Sequence, residues 1–182
     1  MRNFLSFIWE IAKIVIIALI IVVPIRYLIF QPFFVKGQSM EPNFETGDYL
    51  IVDELSYRLR TPERGEVVVF KYPNDTSQRY IKRIIGLPGE TVVIENGKVE
   101  ILNQEGNKVL NESNYLPSNI LTLGDFRITL GEDEYFVLGD NRFSSSDSRR
   151  WGTLPRNDII GRVFLRAWPF ASLAKIKIPI YE

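Results

Sequence analysis

Ser39 and Lys82 are the residues whose types could do covalent chemistry in this chain, because the sequence holds no histidine and no cysteine. A serine hydroxyl is a weak nucleophile until a neighbouring base takes its proton, and no imidazole is available to do so. A lysine amine is the remaining base. It works near neutral pH only when desolvation lowers its pKa, and Lys82 stands inside the apolar run Tyr80-Ile81-Lys82-Arg83-Ile84-Ile85. Arg83, the next residue, would alternate to the opposite face of a strand. The same absences exclude disulfides, thiolate chemistry and nearly every zinc, copper or haem site, so no metal or cofactor is expected. Asp140 and Asp147 lack the spacing of an EF-type calcium loop.

The elements that must position this pair are mostly strands. Short runs rich in β-branched and aromatic residues lie at 49–52, 66–70, 91–94, 126–130, 135–138 and 160–166, bounded by turn residues. Asn96-Gly97 between two such runs predicts a tight hairpin. The polar interval 103–118 reads as an excursion from the main sheet, and an inserted subregion over about 95–125 is expected. The fold class is therefore mainly β: a β-sheet or barrel-like catalytic domain over 35–182 with a small inserted excursion. The tail 168–180 reads either as a final strand or as a segment leaning on a membrane.

Ahead of that domain, residues 1–34 read as a short N-terminal tip and a single transmembrane helix. Ile14 to Ile25 carries no charge, and starting near Phe7 reaches the roughly 20 apolar residues that a span needs. Phe4, Phe7 and Trp9 at one end, and Tyr27, Phe30, Phe33 and Phe34 at the other, fit interfacial belts. A cleaved secretory leader is the alternative, but no small-x-small pair follows; Pro24, Arg26 and bulky aromatics follow instead. Arg2 and Lys13 before the run balance Arg26 and Lys36 after it, so charge sets no orientation. The whole chain carries 22 basic and 22 acidic residues, which argues against a nucleic-acid partner.

Four segments in order resemble the boxes of bacterial type I signal peptidases: Gln38-Ser39-Met40-Glu41-Pro42, Gly47 to Val52, Tyr80 to Glu90, and Gly139-Asp140-Asn141-Arg142 through Arg149. The resemblance implies a membrane-bound serine endopeptidase that removes signal peptides from secretory preproteins after a small-x-small site. It implies the cytoplasmic membrane of a bacterium, a single pass, a cytoplasmic N-terminus and an extracytoplasmic catalytic domain, with signal peptides and the lipid bilayer as partners. Ser39 matches the nucleophile and Lys82 the general base. Ser145 matches a serine that hydrogen-bonds the lysine amine. Asp147 and Arg149 match an ion pair bracing the site loop, with Asp140 and Arg142 supporting the same turn. Phe33, Val35, Met40, Phe44, Val69, Tyr80 and Ile81 match the shallow substrate pockets. Some relatives carry an oxyanion-binding hydroxyl two residues before the nucleophile, where this chain has Gly37. A noncatalytic membrane-tethered β domain binding exported chains is the competing reading, and a self-cleaving regulator ranks below it because no basic helix-turn-helix segment is present.

Overall fold

A computed structural model describes residues 2–28, 30–104, 106–117, 119–179 and 181. The β-branched runs fold as two antiparallel sheets. β1 (Phe30–Phe34), β2 (Tyr49–Asp53), β3 (Val67–Tyr72) and β4 (Asp75–Gly86) are followed by β5 (Thr91–Glu95), β6 (Lys98–Asn103), β7 (Gly106–Val109) and β8 (Phe126–Thr129). β9 (Glu134–Leu138), β10 (Leu154–Pro155), β11 (Ile159–Trp168) and β12 (Ala174–Lys175) complete the set. The larger sheet has the order β1-β2-β11-β3-β4-β9-β10, with β12 also on β11; the smaller has the order β7-β6-β5-β8. Among the described residues β1 and β10 do not pair, so the larger sheet is an open path and not a closed barrel.

The sequence explains most of these elements. Asn96 and Gly97 both take positive φ, 52° and 76°, which a two-residue hairpin between β5 and β6 demands. The expected excursion belongs to the smaller sheet and has no core of its own. Val92, Ile94, Val99 and Ile101 pack against Ile85, Phe136 and Leu138 of the larger sheet. Two helices, α2 (Ser56–Leu59) and α3 (Ser148–Trp151), are single turns that no 3.6-residue pattern could announce.

One boundary needs revision. Phe30–Phe34, read as the end of the anchor, pair with β2 from Phe30↔Asp53 to Phe34↔Tyr49 and form an edge strand, where Pro32 is tolerated. The tail contributes β12, pairs with β11 and brings Tyr181 against Tyr115, whereas Ile180 lies outside the described residues. Upstream, α1 (Arg2–Leu28) is one helix of 27 residues. Among the described residues no helix is long and apolar enough to cross a membrane. Its described apolar side chains, Phe7 through Ile20, stand exposed. The belt residues Phe4, Tyr27 and Phe30, with Pro24, Arg2 and Arg26, fall outside the described side chains.

Candidate active site

Ser39 sits on the loop joining β1 to β2. Met40 and Phe44 on this loop are 1% and 2% exposed and fasten it into the core, leaving Ser39 on the rim. The Phe44 amide donates to the Met40 carbonyl at 2.9 Å, which closes the turn. Before it, Gly37 adopts φ +92°, a conformation that L side chains rarely take. The Gly37 amide donates to the Thr46 hydroxyl and that hydroxyl donates to the Gly37 carbonyl, each at 3.1 Å. Gly37 therefore has neither a side-chain donor nor an uncommitted amide to offer an oxyanion.

Lys82 comes from the middle of β4, where Val68↔Lys82 and Val67↔Arg83 fix its register on β3. Its ammonium nitrogen lies 2.7 Å from Ser39 Oγ and 2.8 Å from the Ile81 carbonyl. The residue is 3% exposed, and burial pushes its pKa down to about 8 against the upward pull of Asp147 and Asp140. A lysine so placed has a neutral fraction near pH 7, which a solvated one lacks.

Arg83 takes the opposite face and is as deeply buried as its neighbour. Its Nε and Nη2 donate to the Asp140 carboxylate at 2.9 and 2.6 Å, its Nη1 donates to the Gly65 carbonyl, and it lies 4.1 Å from the centre of the Tyr115 ring. Asp140 is thus tied to Arg83, and Arg142 instead meets Glu112 at 2.8 Å and the Gly139 carbonyl at 3.1 Å. Asp140 and Arg142 each tie the loop to a different element, and the Arg142 bond to the Gly139 carbonyl lies within the turn itself. Asp147 and Arg149 do pair, at 2.8 Å through both carboxylate oxygens. Burial acts to raise the Asp147 pKa, but the Arg149 guanidinium and the Gly139 amide outweigh it and hold the carboxylate below its usual range. The Asp147 carboxylate also accepts from the Arg149 amide and so caps α3.

Loop 139–147 touches Ser39 directly. The Asn141 amide donates to the Ser39 carbonyl at 3.0 Å. At Gly139 an added Cβ would run into Ser145 Oγ and the Ser39 carbonyl, so only glycine fits. Ser145 is buried beside this contact; its hydroxyl makes no well-aligned hydrogen bond, to Lys82 or elsewhere, but lies close enough to the Asp147 carboxylate to help lower its pKa. The lysine bond expected of it is therefore absent in this state, in which the amine is turned to Ser39 and Ile81.

In front of the Ser39-Lys82 pair opens a cleft of about 480 Å³, walled by Phe33, Tyr80 and Ile81 among others. Val35, Met40, Phe44 and Val69, the other expected pocket residues, form the buried cluster beneath. They fill the floor of the cleft without lining it.

A family model described as signal peptidase, peptidase S26, matches residues 8–168 of this chain. The chain belongs to that family. A probable signal peptidase I-2 from Synechocystis sp. is 39% identical over 166 residues, covering 88% of this chain and 73% of that protein. The signal peptidase I of Bacillus caldolyticus is 37% identical over 171 residues, 87% of this chain and 90% of its own. A crystal structure of a signal peptidase I from Enterococcus faecalis V583 is 33% identical and aligns with 57% of this chain and 97% of that one, at TM-score 0.47. As a member of the signal peptidase family, the chain is a signal-peptide-cleaving serine peptidase.

Several residues around the site of this peptidase escaped the sequence reading. Asn43 donates to Asp140 and to the Tyr115 carbonyl, both at 2.8 Å, and so joins the Ser39 loop to two others. Glu112 and Thr122 hold Arg142 from within the excursion. No local signal marks such partners, since Arg83 and Asp140 are 57 positions apart and Asn43 and Asp140 are 97 apart.

Proposed function

We propose that the chain is a membrane-anchored signal peptidase that cuts preproteins after a small-x-small site with a Ser39-Lys82 dyad. One observation carries this reading: a buried lysine amine 2.7 Å from the hydroxyl of a serine that lines an open cleft. The neutral Lys82 amine takes the Ser39 proton as Oγ attacks the scissile carbonyl, and the resulting ammonium returns it to the leaving amine. A water activated by the same amine then hydrolyses the acyl-enzyme. The Ser39 backbone amide donates to the developing oxyanion. Ser145, Asp147, Arg149, Asp140 and Arg142 are positioning residues.

Substrate choice follows from Phe33, Tyr80 and Ile81 at the wall, backed by the close-packed Val35, Met40, Phe44 and Val69. Bulky residues over a filled floor leave space for an alanine-sized side chain, and overpacking costs about 1–3 kcal/mol. The anchor is α1: a helix exposing apolar side chains on every described face is poorly suited to water and well suited to lipid. In this reading the N-terminus is cytoplasmic and the sheets face the outer side of a bacterial cytoplasmic membrane, where the substrate's apolar segment ends.

The test is mass spectrometry of a precursor with an Ala-x-Ala site, incubated in detergent with the wild-type chain, Ser39→Ala and Lys82→Ala. A single cut after the second alanine by the wild type alone is expected, with all three proteins folded by circular dichroism. Cleavage by either variant would remove the dyad.

A further inference from the structure

The cleft in front of Ser39 has a feature the proposed reaction does not use. Lys36 and Arg79, both exposed, line it together with Lys82, and no aspartate or glutamate is among its lining residues. The carboxylates behind it are already committed, Asp140 to Arg83 and Asp147 to Arg149. Burial raises the pKa of Glu54, and Arg58 and Arg79 oppose that rise. The space a polypeptide must enter therefore presents the Lys36 and Arg79 cations with no carboxylate among its lining residues.

We propose that Lys36 and Arg79 make the cleft select its substrate by charge, so that a chain with an acidic side chain flanking the cut is favoured and one with lysine or arginine there is disfavoured. The inference rests on the peptidase reading above and narrows its substrate class. A chain lying extended advances about 3.3 Å per residue, so side chains within two or three residues of the cut come within range of the two long basic side chains. Export signals carry their basic residues at the far end from the cleavage site, beyond an apolar stretch. Repulsion of cations from the cleft thus opposes cutting in the wrong place as well as favouring acidic chains.

The test uses the full-length chain in detergent and peptides with an Ala-x-Ala cut. One set carries Glu, Gln or Lys two residues after the cut, and a second set carries them two residues before it. At about 20 mM salt, where the screening length exceeds 20 Å, kcat/KM for Glu exceeds that for Gln by about two- to fivefold in at least one set, and Lys falls below Gln. At 1 M salt, with screening over about 3 Å, the three converge. The double variant Lys36→Glu, Arg79→Glu reverses the order. An unchanged order in that variant, a preference indifferent to salt, or no preference in either set overturns charge selection. Ser39→Ala separates the two readings through the Kd of labelled peptides. A charge order in Kd supports selection even if the Gln peptide is never cut, a failure that would count against the peptidase mechanism alone.

Discussion

A primary amine beside a serine hydroxyl is a base only in its neutral form, and Lys82 reaches that form because burial lowers its pKa to about 8. kcat/KM should accordingly rise with pH and level off above a midpoint near 8; a profile flat from pH 6 to 10 would exclude Lys82 as the base. The same shift has a consequence for stability. An unfolded lysine titrates near 10.5, so between pH 8 and 10.5 the unfolded chain binds more protons than the folded one. Stability from this group is present above that window and lost as pH falls through it. Lys82→Met should abolish cleavage and remove this increment, seen as a shallower pH dependence of urea unfolding than the wild type shows over the same window. Ser145 invites a different measurement, because its buried hydroxyl sits beside Asp147 without a well-aligned hydrogen bond. Ser145→Ala should leave the unfolding free energy within about 0.5 kcal/mol, since only a poorly aligned contact with Asp147 is lost, while kcat falls and KM holds. Unchanged kcat would make Ser145 a packing residue. That Lys82 could stand beside Ser39 was legible in the sequence because the absence of histidine and cysteine left few bases. The Arg83-Asp140 clasp was not, because its partners meet only through the pairing of β4 with β9.

At the level of elements, two segments define the site: β4, which delivers Lys82, and loop 139–147, which seats against Ser39. Strand alternation along 80–85 could be read directly, and it correctly put Lys82 and Arg83 on opposite faces. β1 could not, because Phe30-Gln31-Pro32-Phe33-Phe34 continues the apolar aromatic character of the preceding helix and shows no alternation. Its strand character comes from pairing with β2, a tertiary cause. Nor did the sequence mark Gly139 as more than a turn glycine, although its missing Cβ is what lets the loop close on the Ser39 carbonyl. Gly139→Ala should therefore move the nucleophile turn, abolish cleavage and cost about 1–3 kcal/mol, as overpacking does. For a chain of this size each kcal/mol lowers the thermal midpoint by about 2–4 °C. A fully active alanine variant would show that the loop tolerates displacement.

Over the whole molecule the helix and the sheets are separable in their consequences. The described side chains of α1 lie exposed and contribute little to the core clusters. Deleting residues 1–28 should leave the thermal midpoint of the sheets within about 2 °C and preserve cleavage of a soluble peptide. Cleavage of a precursor embedded in vesicles should fall tenfold or more, since enzyme and substrate no longer share a surface. A large loss of thermal stability would mean that α1 packs on the sheets. Global quantities are blind to the rest of the design. Exchanging the two neighbours, Lys82→Arg with Arg83→Lys, would conserve mass, net charge, composition and mean hydropathy. It would nonetheless put a guanidinium that never deprotonates against Ser39, and a single ammonium where Asp140 now receives two parallel hydrogen bonds. The two isomers would differ in nothing a bulk assay of the polypeptide could weigh, and in everything that depends on which side of one strand each cation faces.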